Sequence, residues 1–182
     1  MPNELVKRAK QGDHDAFSAL VVSEIPRLNG LAGLILRDRA RSEDAVQEAL
    51  LKAWRDLPQL RDPDRFMPWL RRLLVNACHD EGRRLGRRRG EASLGPEHDR
   101  STASSFVEDV SRRDELGRGF RRLTPKERTV IALSYYMDLS TADAAAVLEV
   151  RETAYRSRLH RAIRALRAAM AADERTNEGR QA

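Results

Sequence analysis

Between residues 86 and 112 the hydrophobic periodicity that runs through the rest of this 182-residue chain stops. Gly, Ser, Pro and acidic residues are frequent there and apolar residues sparse, the composition of a tether rather than of a packed layer. A chain interrupted in this way folds as two small modules rather than around one large core. Aromatic residues make up only 5% and charged residues 34%. Ala, Leu, Arg and Glu dominate, all good helix formers, and no stretch reads convincingly as a strand. The expected class is all-α: helical modules at 1–86 and 113–172, a flexible acidic linker at 87–112, and a frayed, disordered tail at 173–182.

Local signals divide the modules further. Residues 4–10 suit a short helix ended by Gly12. Asp13 or Asp15 can cap a longer one through Leu36, which Pro26 must kink or split. Ser42 is the expected N-cap of a third helix, with Glu43 and Asp44 in its first turn. Residues 56–64 hold two prolines and three aspartates and read as a loop. A further helix runs from about Arg65 to Gly86. In the second module, Thr124-Pro125-Lys126-Glu127 has the signature of a capping box with proline in the first turn. That helix is expected to reach Met137. Ser140 opens a short alanine-rich helix to Leu148, and a last helix spans about Glu152 to Ala171.

Charge is distributed unevenly. Residues 1–90, 91–116 and 117–182 carry net charges of +5, −4 and +5 within a total of +6. Two basic blocks separated by an acidic one suit two nucleic-acid-facing modules. The single cysteine, Cys78, excludes a disulfide framework within one chain. His14, His79, His98 and His160 are scattered, with no metal-ligand spacing and no Gly-rich phosphate loop. No enzyme chemistry, metal or cofactor is therefore expected. No apolar run approaches the roughly 20 residues of a membrane span, and the start lacks a signal-peptide core, so a cytoplasmic location is expected.

The motifs carry opposite charges. Asp44, Gln47 and Glu48 fall at i, i+3 and i+4, a polar and mostly acidic face that repels phosphate and suits a protein partner. Arg71, Arg72, Arg83, Arg84, Arg87, Arg88 and Arg89 follow on the next helix, a strip suited to a nucleic-acid backbone. In the last module the spacing is that of a helix-turn-helix. Ala144, Ala145 and Ala146 allow close crossing. Tyr155, Leu159, Ile163 and Leu166 form one apolar stripe, and the arginines lie mainly off it. One face docks on the scaffold and the other enters the major groove, with Arg151, Glu152, Arg156 and Arg158 placed for base edges.

The stretch Ser42–Trp54, carrying Asp44-Ala45-Val46-Gln47-Glu48 and ending in Ala53-Trp54, closely resembles the conserved helix of extracytoplasmic-function (ECF) sigma factors of bacterial RNA polymerase. Phe66–Asn76, with Trp69-Leu70, resembles the family's next segment. Leu123–Glu127, Leu139-Ser140 and Arg156–Ala162 resemble sigma region four. The resemblance covers about residues 13–86 and 115–168. It implies a non-enzymatic subunit that directs transcription initiation at a specific promoter set. Its partners are core RNA polymerase, promoter DNA and an expected anti-sigma factor.

By the same resemblance Asp44, Gln47, Glu48 and Lys52 meet the coiled coil of the polymerase β′ subunit. Trp69, Arg72, Asn76, Arg83 and Arg84 act on the minus-ten element, with Asn76 at the pocket for an extruded base. Arg151, Glu152, Arg156, Ser157, Arg158 and Arg161 read the minus-thirty-five element, and region four meets the β flap. Three departures stand out. Glu149 occupies the turn position where the family usually has Gly, Arg151 the position of a Ser cap, and Arg151-Glu152-Thr153-Ala154 the place where the family often shows S-V-G-T. A positive φ at Glu149 would be strained. The Glu152 carboxylate is expected to favour cytosine. The rival reading is a stand-alone helix-turn-helix regulator that binds operator DNA as a dimer.

Overall fold

The computed structural model describes the backbone of residues 2–91 and 110–181, with side chains at 3–84 and 116–172. These residues form helices and turns, with no strand among them. The first module holds α1 (Pro2–Lys10), α2 (His14–Val21), α3 (Ile25–Leu36), α4 (Arg39–Asp56) and α5 (Phe66–Glu91). The second holds α6 (Val110–Arg122), α7 (Pro125–Ile131), α8 (Thr141–Val147) and α9 (Glu152–Gln181).

The sequence signals explain most boundaries. Asp13 caps α2 by accepting a hydrogen bond from the Ala16 amide at 3.0 Å. Pro26 splits the expected long helix. It sits in the first turn of α3, where its missing N–H costs nothing, and α2 and α3 meet at 59°. The Thr124 capping box forms in full, and Ser140 caps α8 by accepting from the Asp143 amide at 3.1 Å.

Other expectations are corrected. The cap of α4 is Asp38, which accepts from the Arg41 amide at 3.1 Å. Ser42 lies inside that helix, buried, with its hydroxyl donating to the Asp38 carbonyl at 2.6 Å. The loop at 56–64 contains two short 3₁₀ turns, Leu57–Gln59 and Pro63–Arg65. α5 continues past Gly86 to Glu91. The helix beginning at Pro125 does not run regularly to Met137, because Ala132–Tyr136 form a wider π-helical turn. α9 continues to Gln181 through the stretch expected to be disordered, since Ala, Glu and Arg favour helix and no proline stops it. The expected linker at 87–112 falls largely on residues 92–109, outside the described residues.

In the first module α3, α4 and α5 surround Leu28, Leu31, Ile35, Leu70 and Leu74, all at 1% exposure or less. The fully buried apolar residues of α4 are small, Ala45, Val46, Ala49 and Ala53, with Leu50 and Trp54 packed beside them. α5 can therefore approach α4 closely along its length. In the second module α9 is anchored by Tyr155 and Ala162, both fully buried. The Tyr155 hydroxyl donates to the Val130 carbonyl at 2.9 Å and lies 2.7 Å from Ser134 Oγ.

The two modules are not separate in space. α3 and α5 pack against α7, α8 and the π-helical turn. Arg128 crosses this seam, donating from Nε to the Ile35 carbonyl at 2.8 Å and from Nη1 to the Leu123 carbonyl at 3.0 Å.

Replacing Tyr155 by Phe leaves the Val130 carbonyl without its buried donor. The expected loss is about 1–3 kcal/mol. Urea unfolding should show a lower midpoint with an unchanged slope.

Candidate polymerase and nucleic-acid interfaces

On α4 the alanine face turns Asp44, Gln47 and Glu48 to solvent. Leu51, one turn further along the same face, is 71% exposed. Sequence reasoning passed over Leu51, although its i+3 spacing from Glu48 carried the signal. An exposed leucine beside three polar residues gives this face an apolar contact as well as charge. Lys52 is also exposed but points along the helix, its Nζ 3.4 Å from Asp56. The Arg55 and Lys52 cations hold the Asp56 carboxyl below the usual range, Arg55 first.

α5 presents its candidates along one side. Asn76 is exposed, while Trp69 and Arg72 are partly covered. Trp69 leans on Phe66, with ring centroids 6.2 Å apart. Asn76 and Arg83 line a groove of about 400 Å3 together with Glu48 and Lys52 of α4. The groove therefore joins residues expected to meet polymerase with residues expected to meet DNA. Arg83 pairs with Asp80. Arg84 lies 3.6 Å from Glu81 and 3.9 Å from Glu48. The side chains of Arg87, Arg88 and Arg89 lie outside the described residues. Arg72 is not in the groove. Its guanidinium donates to the Glu149 carboxylate of the second module at 2.5 Å.

The helix-turn-helix forms from α8 and α9. Ala144 and Ala145 are buried at the crossing, whereas Ala146 is exposed and has no part in it. In the turn Glu149 has φ 53°, the left-handed conformation its Gly-free sequence makes costly. For a residue with a Cβ that conformation costs about 1–2 kcal/mol. The turn is closed by the Val150 amide bonding the Ala145 carbonyl at 3.0 Å, and α9 begins with the Tyr155 amide on the Arg151 carbonyl. Arg151, Glu152, Arg156, Ser157, Arg158 and Arg161 are all exposed. Glu152 is engaged by Arg156 at 3.1 Å, one turn along.

No group of three His, Cys, Asp or Glu residues able to hold a metal occurs among the described residues. Burial pushes the Cys78 thiol up to about 12, which keeps it protonated and unreactive. No single helix among the described residues is long and apolar enough to cross a membrane.

Known proteins share this arrangement. The Sigma-70 region 2 family model matches residues 20–88, and the Sigma-70, region 4 model matches residues 113–166. The ECF RNA polymerase sigma factor SigL of Mycobacterium tuberculosis is 36% identical over 164 residues, 85% of this chain and 84% of that protein. The chain belongs to the ECF family of RNA polymerase sigma factors. It is a transcription-initiation factor whose region four is a DNA-binding helix-turn-helix. The ECF sigma-E factor of Haemophilus influenzae is 31% identical over 171 residues, 87% of this chain and 89% of that one. Among solved structures, CnrH in complex with the cytosolic domain of CnrY superposes with a TM-score of 0.66 at 27% identity. It covers 94% of this chain and 98% of that one. RpoE bound to the anti-sigma factor NepR from Bartonella quintana shares the fold, with a TM-score of 0.72 at 22% identity over 86% and 98% of the two chains.

His79 lies in the seam between this sigma factor's modules. His79 Nε2 is 3.0 Å from Thr129 Oγ1. Burial lowers its pKa from the ordinary 6.5, and Lys126 and Arg83 lower it further against the opposing pull of Asp80. The folded chain thus binds this proton less readily than the unfolded one. Stability is whole above pH 6.5 and falls as the pH drops below it. The urea midpoint should decline between pH 7 and 5, and His79→Gln should flatten that decline. Asp13 and Asp56, whose carboxyls are held low, lose their share only at more acid pH.

Proposed function

We propose that the outer face of α4, formed by Asp44, Gln47, Glu48 and Leu51, docks this sigma factor on the β′ coiled coil of core RNA polymerase. The observation that carries the assignment is that α4 packs Ala45, Val46, Ala49 and Ala53, with Leu50 and Trp54, against the core and leaves Leu51 at 71% exposure amid polar and acidic residues on the outer face. An exposed apolar residue within a charged rim is the composition of a protein interface rather than of a DNA-binding one. Lys52 sits at the edge of this face, where it meets the groove.

The remaining sites follow the same division. The groove with Asn76, Arg83 and Arg84, flanked by Trp69 and Arg72, receives the minus-ten strand, Asn76 meeting the extruded base and the arginines its phosphates. Residues 1–86 then act as region two and 113–172 as region four. The exposed set Arg151, Glu152, Arg156, Ser157, Arg158 and Arg161 reads the minus-thirty-five element, with region four seated on the β flap. The factor itself performs no chemistry. Its relative CnrH has been captured with the cytosolic domain of CnrY, which supports an anti-sigma partner of similar kind here.

The decisive experiment is binding to core polymerase by the parent chain and by an Asp44→Ala/Gln47→Ala/Glu48→Ala variant. Binding is expected for the parent and loss of at least about tenfold for the variant, with an unchanged circular-dichroism spectrum. Loss of tenfold equals about 1.4 kcal/mol. Equal binding by both would move the docking face off α4. In assembled holoenzyme, Arg158→Ala should weaken promoter binding and lower the salt slope by about one unit if it contacts phosphate. An unchanged slope together with relaxed sequence preference would place it on a base edge instead.

A further inference from the structure

We propose that Glu48 couples polymerase docking to DNA binding: its carboxylate restrains Arg84 in the free chain, and a basic group of the polymerase that engages Glu48 releases Arg84 for phosphate. Glu48 is then a positioning residue that acts through Arg84. The inference rests on the reading of α4 as the docking face and of α5 as the minus-ten helix.

The carboxylates around the groove differ in origin. Arg83 pairs with Asp80 and Arg84 with Glu81, each acid lying three residues earlier on α5 itself. These acids move with their arginines whatever binds α4. Glu48 comes from the other wall. It stands on the outer face of α4 with Asp44, Gln47 and Leu51, and it also lines the groove with Asn76 and Arg83. Among the described residues lining the groove, it is the one carboxylate carried by α4.

The pair is built to exchange. A single nitrogen of Arg84, Nη1, lies 3.9 Å from Glu48 Oε2 and 3.6 Å from Glu81 Oε2. Both separations exceed a hydrogen bond, so these two carboxylates act on Arg84 by charge rather than by a directed bond. The Glu48 and Arg84 side chains are 53% and 57% exposed, within reach of a protein on one side and of DNA on the other. An ion pair open to water in this way is weak and yields to a better partner.

The charge balance gives the exchange its effect. Glu48, Lys52, Asp80 and Arg83 line the groove with two negative and two positive charges. Glu81 and Arg84 at its rim cancel as well. Binding to a phosphate backbone depends on cations that displace counterions, and a groove without net charge offers little of that attraction. An acidic face calls for a basic partner. When a cation of the polymerase engages Glu48, groove and rim gain one positive charge beside Asn76, and Arg84 keeps only Glu81.

The test measures binding of the full chain to a short fluorescent single strand of mixed sequence, which reports phosphate contacts. Glu48→Gln is expected to tighten binding by up to about fivefold, the reach of one exposed ion pair. The slope of log affinity against log salt should steepen by about 0.7, one phosphate gained on a single strand. Neither change should occur on an Arg84→Ala background. Glu43→Gln removes the same charge from α4 but frees Arg39, its partner at 2.9 Å, and its effect should be independent of Arg84. Saturating core polymerase should close the difference between the parent and Glu48→Gln, because docking releases Arg84 in the parent.

An unchanged affinity of free Glu48→Gln, or a gain that survives Arg84→Ala, would overturn the restraint and leave the docking face intact. A gain of the same size in the free chain and at saturating polymerase would overturn the release. Failure of the docking reading shows elsewhere. If Asp44→Ala/Gln47→Ala/Glu48→Ala binds core polymerase like the parent, the docking face is wrong, while an Arg84-dependent gain in the free chain still supports the restraint.

Discussion

The fit of α5 against the alanine face of α4 is the contact on which the other features depend. Ala45, Ala49 and Ala53 are at 2% exposure or less and recur at intervals of four along α4. Their small volume sets the separation of the two longest helices of the first module. A larger side chain at any of them would push α5 outward and open the groove that holds Asn76 and Arg83. The same helix geometry fixes what faces out. With alanines turned inward, Asp44, Gln47, Glu48 and Leu51 have no alternative but solvent or a partner. One packing choice thus builds a protein-facing surface and a groove side by side, with Glu48 and Lys52 belonging to both.

The seam between modules is of another character. It contains apolar contacts, but its specific interactions are Arg128 on the Ile35 carbonyl, Arg27 on the Met137 carbonyl, His79 with Thr129, and Arg72 with Glu149. Hydrogen bonds and exposed ion pairs exchange with water at small net cost. The α4–α5 contact has the exposed Arg84–Glu48 pair at its rim, but its alanines and leucines gain nothing from water. The buried core is nevertheless continuous across the seam, from Leu28, Ile35 and Leu74 to Leu133, Met137 and Tyr155.

Local chemistry made much of this legible from the residues. Asp13, Thr124 and Ser140 cap where a short acceptor precedes an apolar period, and Pro26 divides α2 from α3 because it has no N–H to give. The spacing of Asp44, Gln47 and Glu48 was enough to put them on one exposed face of α4, because the alanines opposite recur at helical spacing. The cap of α4 was misread because Ser42 and Asp38 are both good acceptors, and only the fold shows that the first turn begins earlier. The π-helical turn leaves no periodic trace over five residues. The meeting of α3 with Tyr136 was not readable either. Periodicity reports that a face is buried but not against what, and Gly30 inside an apolar helix looks like any other tolerated glycine.

The ion pairs of the chain bear on why such a factor works as a subunit. Arg72, Arg83, Arg84 and Arg156 are four of the arginines assigned to DNA, and each already holds a carboxylate from Glu149, Asp80, Glu48 and Glu81, or Glu152. A phosphate that replaces a seated carboxylate gains less than one that meets a free guanidinium, and it leaves the carboxylate close by to repel it. The basic balance of +6 therefore overstates the attraction for DNA. Counterion release favours any duplex regardless of sequence, so these pairs subtract most from non-specific binding. Base-edge contacts and polymerase docking are not reduced in the same way. On the proposed assignment, the chain alone would gain less from duplex DNA than its net charge implies.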